Sequence, residues 1–260
     1  MTKTELLDRV SRSSEERQLF SRVLDKLDQA ARGAPAHTPF LSQSQQEAVK
    51  RLLNAAGHPR HLFAGGYPNA ERQVCALLPD WQEEDHWEPP YAALRCSWQS
   101  GEKLTHRDFL GSILGQGIDR EKVGDLLVGE NFCDILVMEE LKPYLLQSFD
   151  SAGRPRLRVA ELPLEAVQPP EKQVKVIRDT VNSLRLDAVM ATGFSLSRGK
   201  AADVISAGRV EVNHALCLKS DRTVTQGDVL TCRGLGKCVL TEINGLSKKG
   251  RVMIVMERYL

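Results

Sequence analysis

Within one short stretch, residues 184–237, the apolar spacing changes from a helical period to a strand period. This limits the folds open to the chain more than any other feature. Leu186, Val189 and Met190 fall at i, i+3 and i+4, one face of a helix, and Ala201, Val204 and Ile205 repeat that spacing. Ser197 offers a side-chain oxygen to the free N–H groups of the second helix, and Gly208 suits the left-handed residue that ends it. Residues 209–213 then alternate, with Val210 and Val212 on one side. Gly227-Asp228 turns the chain into a strand over 229–233. The stretch predicts two short helices on a small sheet.

Charge follows the same stretch. Arg198 and Lys200 open the second helix, Arg209 leaves it, and Lys219, Arg222, Arg233 and Lys237 lie on strands and loops. From residue 184 onward there are 12 Lys and Arg against 7 Asp and Glu; the remainder holds 23 against 27. The net charge of +1 hides this asymmetry. A basic segment suits a phosphate-bearing partner, although so modest an imbalance is, by itself, ordinary solubilising surface.

Arg185-Leu186-Asp187, Ser197-Arg198, Gly208-Arg209-Val210, Val212-Asn213, Gly227-Asp228 and Arg233-Gly234-Leu235-Gly236 occur in order. Together they resemble the S4 RNA-binding domain. The resemblance implies an αL-type motif, two helices on a small sheet with RNA across the helical pair. Arg185, Ser197, Arg198, Lys200, Arg209, Asn213, Lys219, Arg222, Arg233 and Lys237 are then the expected RNA-binding residues. In such a site Arg and Lys neutralise phosphates, while Ser197 and Asn213 hydrogen-bond sugar or backbone. One departure is His214, where many such domains carry Gly after the Asn.

The rest of the chain has a different grain. Leu6, Leu7, Val10, Leu19, Phe20, Val23, Leu24 and Leu27 form helical stripes. Gly33-Ala34-Pro35 breaks them, and Phe40, Leu41, Val49, Leu52 and Leu53 predict a further helix ending at Gly57-His58-Pro59. Residues 61–72 read as a strand, a tight turn at Gly65-Gly66 and a helix; the other reading makes Tyr67, Glu71 and Arg72 an exposed polar cluster. Further on, residues 91–98 are strand-like, and Thr105 caps a helix whose apolar face is Phe109, Leu110, Ile113 and Leu114. Residues 125–128 and 132–137 form a hairpin, 138–149 a helix and 156–160 a strand. That order predicts a ferredoxin-like, RRM-like α+β domain. Its sheet carries one aromatic, Phe132, so base stacking on sheet aromatics is not expected. Arg154, Arg156 and Arg158 alternate along the closing strand. The glycines of residues 106–125 lie in and after a helix and make no phosphate loop.

Gly65-Gly66-Tyr67 with Glu71-Arg72, then residues 107–125, then the C-terminal pattern, extend the resemblance to the YlmH (RqcP) family of bacterial S4-domain proteins. The N-terminal half is closest to the photosynthetic branch, labelled photosystem II S4-domain protein. The resemblance implies an α+β chain in three parts: an N-terminal α/β region (1–80), a central RRM-like domain (88–165) and a C-terminal S4 domain (183–260). It implies a non-catalytic protein that binds structured RNA, rRNA and tRNA on the large ribosomal subunit and helps to handle stalled nascent chains.

Two other readings stand beside it. One is an RNA-modifying enzyme, since Arg185-Leu186-Asp187 matches a pseudouridine synthase triplet. Only a short segment follows Lys237, however, and Asp187 falls inside the S4 pattern, so a carboxylate at a helix start is the expected role. The other is an assembly factor for a photosynthetic complex. No apolar run is long enough to insert in a membrane, and the first residues resemble neither a secretory nor a transit signal. Six scattered cysteines without a CxxC pair predict reduced, buried thiols and no zinc. A cytoplasmic protein without a cofactor is expected; oligomeric state stays open.

Overall fold

Capped helices with one apolar stripe each begin the chain. The computed structural model describes residues 2–99, 101–169 and 174–259. Thr2 and Glu5 form a reciprocal capping box on α1 (Lys3–Val10), and Ser13 caps α2 (Ser14–Ala31), which buries Leu19, Phe20, Val23 and Leu24. After β1 (Ala36–His37), α3 (Gln43–Ala55) is capped by Ser42 with Gln45 reaching back. Phe40 and Leu41 are buried but precede that helix. β2 (His61–Ala64) and β3 (Val74–Leu77) pair antiparallel, and β1 takes the other edge of β3. Here the structure corrects the sequence reading: residues 65–73 connect two strands and form no helix.

The central elements are β4 (Tyr91–Ser97), α4 (His106–Gly115), β5 (Val123–Val128), β6 (Phe132–Met138), α5 (Lys142–Ser148) and β7 (Arg158–Leu162). Their sheet order, β5-β6-β4-β7 with antiparallel neighbours, is the ferredoxin-like arrangement. Pro143 sits in the first turn of α5, where its missing N–H costs nothing. Phe109, Ile113 and Leu145 close one face of the sheet against Leu94, Cys96, Ile135 and Val137. Leu114, expected on that face, is 37% exposed, one residue past the arc that Ile113 fills. Only Arg158 of the three alternating arginines belongs to β7; Arg154 and Arg156 precede it.

The other face of the central sheet is covered over much of its length. Tyr91, Ala93, Leu136 and Met138 pack there with Phe40 and Val74 from the N-terminal region. Two glycines permit the approach. A Cβ on Gly124 would lie 2.8 Å from the Phe40 ring, and one on Gly66, whose φ is +93°, 2.6 Å from Leu136. The N-terminal and central elements therefore form one compact unit, Met1–Pro170.

The second unit, Glu171–Leu260, contains β8 (Val174–Val181), α6 (Leu186–Gly193), α7 (Arg198–Ser206), β9 (Val210–Val212), β10 (Ala215–Leu216), β11 (Val229–Cys232), β12 (Gly236–Leu246) and β13 (Val252–Tyr259). Its sheet runs β10-β9-β11-β12-β13-β8. β8 lies ahead of the 183–260 range read from the sequence and pairs with β13 along its whole length. Leu186, Val189 and Met190 of α6 and Ala201 and Ile205 of α7 pack on Val210, Val212, Leu230 and Leu240. A Cβ on Gly193 would meet Met256 at 2.8 Å, so α6 lies close on the sheet. Asn244-Gly245 falls inside β12 at a register shift, and the β12–β13 turn is Ser247–Gly250. All six cysteines are buried and free. Among the described residues no helix is long and apolar enough to cross a membrane, and no cluster of three or more His, Cys, Asp or Glu suits a metal ion.

Candidate nucleic-acid interface

The start of α6 organises the basic residues. No side chain caps this helix. The loop before β11 takes that part, accepting from Leu186 N–H at the Arg222 carbonyl (2.8 Å) and from Asp187 N–H at the Ser220 carbonyl (3.0 Å). Asp187, 5% exposed, lies in the first turn, where the helix dipole favours an anion. Arg185 Nη2 donates to it at 3.0 Å and Arg198 Nη2 at 3.3 Å. Burial alone would push its carboxyl up. The hydrogen bonds and charges of Arg185 and Arg198 outweigh burial and hold it below the usual carboxylate range.

Four of the expected RNA-binding residues also hold bonds within the fold. Arg185 and Arg198 are each committed in part to Asp187, and the Arg198 pair ties α7 to α6. Ser197 caps α7, its Oγ accepting from Lys200 N–H at 3.2 Å. Asn213 donates to Asp228 Oδ1 at 2.8 Å and accepts from Val229 N–H at 2.9 Å. By contrast the side chains of Lys200, Lys219 and Arg222 carry no ion pair among the described residues, and Lys200 and Lys219 are exposed. With Arg185 and Arg198 they surround the starts of both helices.

A second basic group gathers at the β11–β12 turn. Arg209 Nη2 donates to the Arg233 carbonyl at 2.6 Å, and Arg233 N–H donates back to the Arg209 carbonyl at 2.9 Å. Gly234, at φ +86°, leaves room for this: a Cβ there would stand 3.1 Å from Arg209 Nη2. Lys237 lies over the Tyr259 ring at 5.2 Å. The exposed Arg209 and Arg233 face the solvent beside this turn.

Asn213 and His214 make the two-residue turn between β9 and β10, at φ 52° and 62°. Two left-handed residues in succession suit Asn-Gly, and a β-carbon at the second position is strained. His214→Gly is therefore expected to stabilise the C-terminal unit by about 0.5–1 kcal/mol. The check is far-UV circular-dichroism melting; an unchanged or lower melting temperature means that the His214 side chain contributes more than the strain costs.

Two polar constellations escaped the sequence reading. Tyr67, Glu71 and Arg72 are not a loose exposed group; they converge on Asp125 of β5, which is 8% exposed. Tyr67 O–H donates to Asp125 Oδ2 at 2.6 Å, Glu71 N–H to the same oxygen at 2.7 Å and Arg72 N–H to Oδ1 at 3.1 Å. Burial raises the Asp125 carboxyl in spite of these donors, and burial with the Asp125 bond raises the Tyr67 hydroxyl. The Arg72 guanidinium donates to the carbonyls of Val123 and Phe40, and burial and the charge of Arg120 lower it to about 10. The second constellation is Arg95, held by buried Asp134 through two 2.7 Å bonds.

The family description "YlmH, N-terminal" matches residues 15–80, "Putative RNA-binding domain in YlmH" matches 99–166, and "S4 domain" matches 184–230. The chain is 32% identical over 223 residues to the ribosome-associated protein quality control protein P2 of Bacillus subtilis, covering 85% of this chain and 86% of the relative. It is also similar to a solved structure, the cell division protein YlmH of Streptococcus pneumoniae, with 23% identity and a TM-score of 0.48 over 61% of this chain and 98% of that one. With three family descriptions in order and a relative matched over most of its length, the chain belongs to the YlmH family of S4-domain RNA-binding proteins.

Proposed function

We propose that the protein is a non-catalytic, cytoplasmic binder of structured RNA that meets rRNA and tRNA on the large ribosomal subunit and acts in quality control of stalled nascent chains. The single observation that carries this reading is the Bacillus subtilis relative, whose name places it in ribosome-associated quality control and which matches most of this chain. The basic groups around α6, α7 and the β11–β12 turn support it. In this reading Lys200, Lys219, Arg222, Arg209, Arg233 and Lys237 meet phosphates, and Arg185, Arg198, Ser197 and Asn213 shape the face that carries them. In this reading Asp187 acts through its arginines, which bond both of its oxygens, rather than as a catalyst. The three-part division, 1–80, 88–165 and 183–260, belongs to the same proposal. So does membership of the photosynthetic branch, which rests on the resemblance of the N-terminal half. No feature of the structure favours a role in assembling a photosynthetic complex over RNA binding.

The test is co-sedimentation of the purified chain with separated ribosomal subunits over a salt series. The expected result is binding to the large subunit, with the logarithm of the association constant falling linearly with the logarithm of salt, by about 0.7–0.9 per phosphate contact. Absence from the large-subunit fraction at low salt overturns the reading.

A further inference from the structure

The rows of the central sheet differ sharply in what covers them. On the face away from α4 and α5, the row Leu162, Ala93 and Leu136 and the row of Tyr91 and Met138 lie under N-terminal residues. In the next two rows only Leu127, opposite Asp134 on β5, joins that buried cluster. One is Ala160, Arg95 and Asp134; the other is Arg158, Ser97 and Phe132. Ala160 and Arg158 are exposed, on the edge strand β7.

In these rows Arg95 is a fixed plate. Asp134, fully buried, grips the guanidinium through Nε and Nη2, both at 2.7 Å, which sets its plane. The guanidinium carbon stands 4.5 Å from the centroid of the Phe132 ring. Gly129 adds support: a Cβ there would fall 2.5 Å from the same ring, so the chain lies directly against it. Phe132 is thus occupied as a stacking surface and passes that role to Arg95, whose side chain is still 40% exposed. A guanidinium fixed over an aromatic ring presents its far side as a delocalised cation to a flat π-system. Next to it Ala160 leaves clearance, and Arg158 supplies a positive charge that enters no ion pair among the described residues.

We propose that this open half of the central sheet is a platform for single-stranded RNA. An unpaired base stacks on the outer side of the Arg95 guanidinium, over Ala160, and the adjoining phosphate is met by Arg158. The platform carries the RNA-binding description of residues 99–166 to a particular face and ligand class. It differs from the aromatic stacking usual for such sheets, because the plate is a guanidinium. It stands apart from the C-terminal interface proposed above and does not depend on it.

The experiment uses the full chain and two probes, a fluorescently labelled octauridylate and a folded RNA hairpin, with binding read by polarisation. Arg95 itself is left in place, since its removal would strand Asp134 without a partner. Ala160→Glu puts a carboxylate beside the plate at an exposed position; Ala160→Arg adds similar bulk with the opposite charge. The expected result is at least a tenfold loss of octauridylate affinity in A160E, no loss in A160R, and hairpin affinity within twofold of wild type in both. Ultraviolet crosslinks of octauridylate should fall on peptides containing Arg95, Phe132 or Arg158. Octauridylate affinity within twofold of wild type in A160E, or crosslinks confined to residues 174–259, overturns the proposal. The C-terminal proposal fails by a different sign: hairpin binding that survives loss of the C-terminal bases.

Discussion

Asp125→Ala is expected to destabilise the Met1–Pro170 unit by about 3–5 kcal/mol. The carboxylate accepts three hydrogen bonds, from the Tyr67 hydroxyl and from the Glu71 and Arg72 amides. Removing it leaves three donors without an acceptor at a nearly buried position, at about 1–3 kcal/mol each, less whatever entering water restores. Tyr67→Phe removes one donor and leaves the two amide bonds, so about 1–2 kcal/mol is expected. Asp125→Asn should fall between them: it sheds a charge that burial penalises but turns an NH2 toward groups that are themselves donors. All three tryptophans, Trp81, Trp87 and Trp98, lie in this unit, so tryptophan fluorescence during urea unfolding reports on it alone. That matters because a chain of two units need not unfold in one step. A loss below about 0.5 kcal/mol in Asp125→Ala would mean that apolar packing of Phe40 and Val74, not this network, joins the two halves of the unit.

The second large effect is on RNA affinity. Replacing Lys200, Arg209 and Lys219 together by Ala is expected to weaken binding to a folded RNA about 100-fold at low salt and to lower the salt slope by about 2. Stability should change by less than about 1 kcal/mol, because all three are exposed and only Arg209 gives up a hydrogen bond, at the surface. Arg198→Ala serves as the contrast. It removes one of the two cations on Asp187, so it should lower the melting temperature as well as the affinity. A triple variant with wild-type affinity and an unchanged slope would move the RNA to another face of the protein.

The C-terminal elements are readable in the sequence because several local signals agree there. Ser197 caps α7, Gly208 follows it at φ +69°, and Val210 and Val212 point into the core. The central hairpin is readable for a similar reason: Gly129-Glu130-Asn131 separates its two apolar runs. What resists reading depends on residues far apart in the chain. Asp125 is one acid in an apolar run, and its partners come more than fifty residues earlier. β8 alternates Lys175, Arg178 and Asp179 with apolar residues and reads as a charged linker until β13 is placed beside it. The basic residues of the site are legible as a set, but how they divide is not. Only when α6 and α7 meet over Asp187 do Arg185 and Arg198 separate from Lys200, Lys219 and Arg222.

The covered sheet also has a consequence during synthesis. The first core of the protein, built from α1, α2, α3 and β3, closes with residues no later than Leu77. The side of the N-terminal region that carries Phe40 and Val74 must wait for Leu136 and Met138. At elongation rates of roughly 5–20 residues per second, that delay is about 3–12 seconds. For that interval the emerging chain carries a closed first core with an uncovered apolar side.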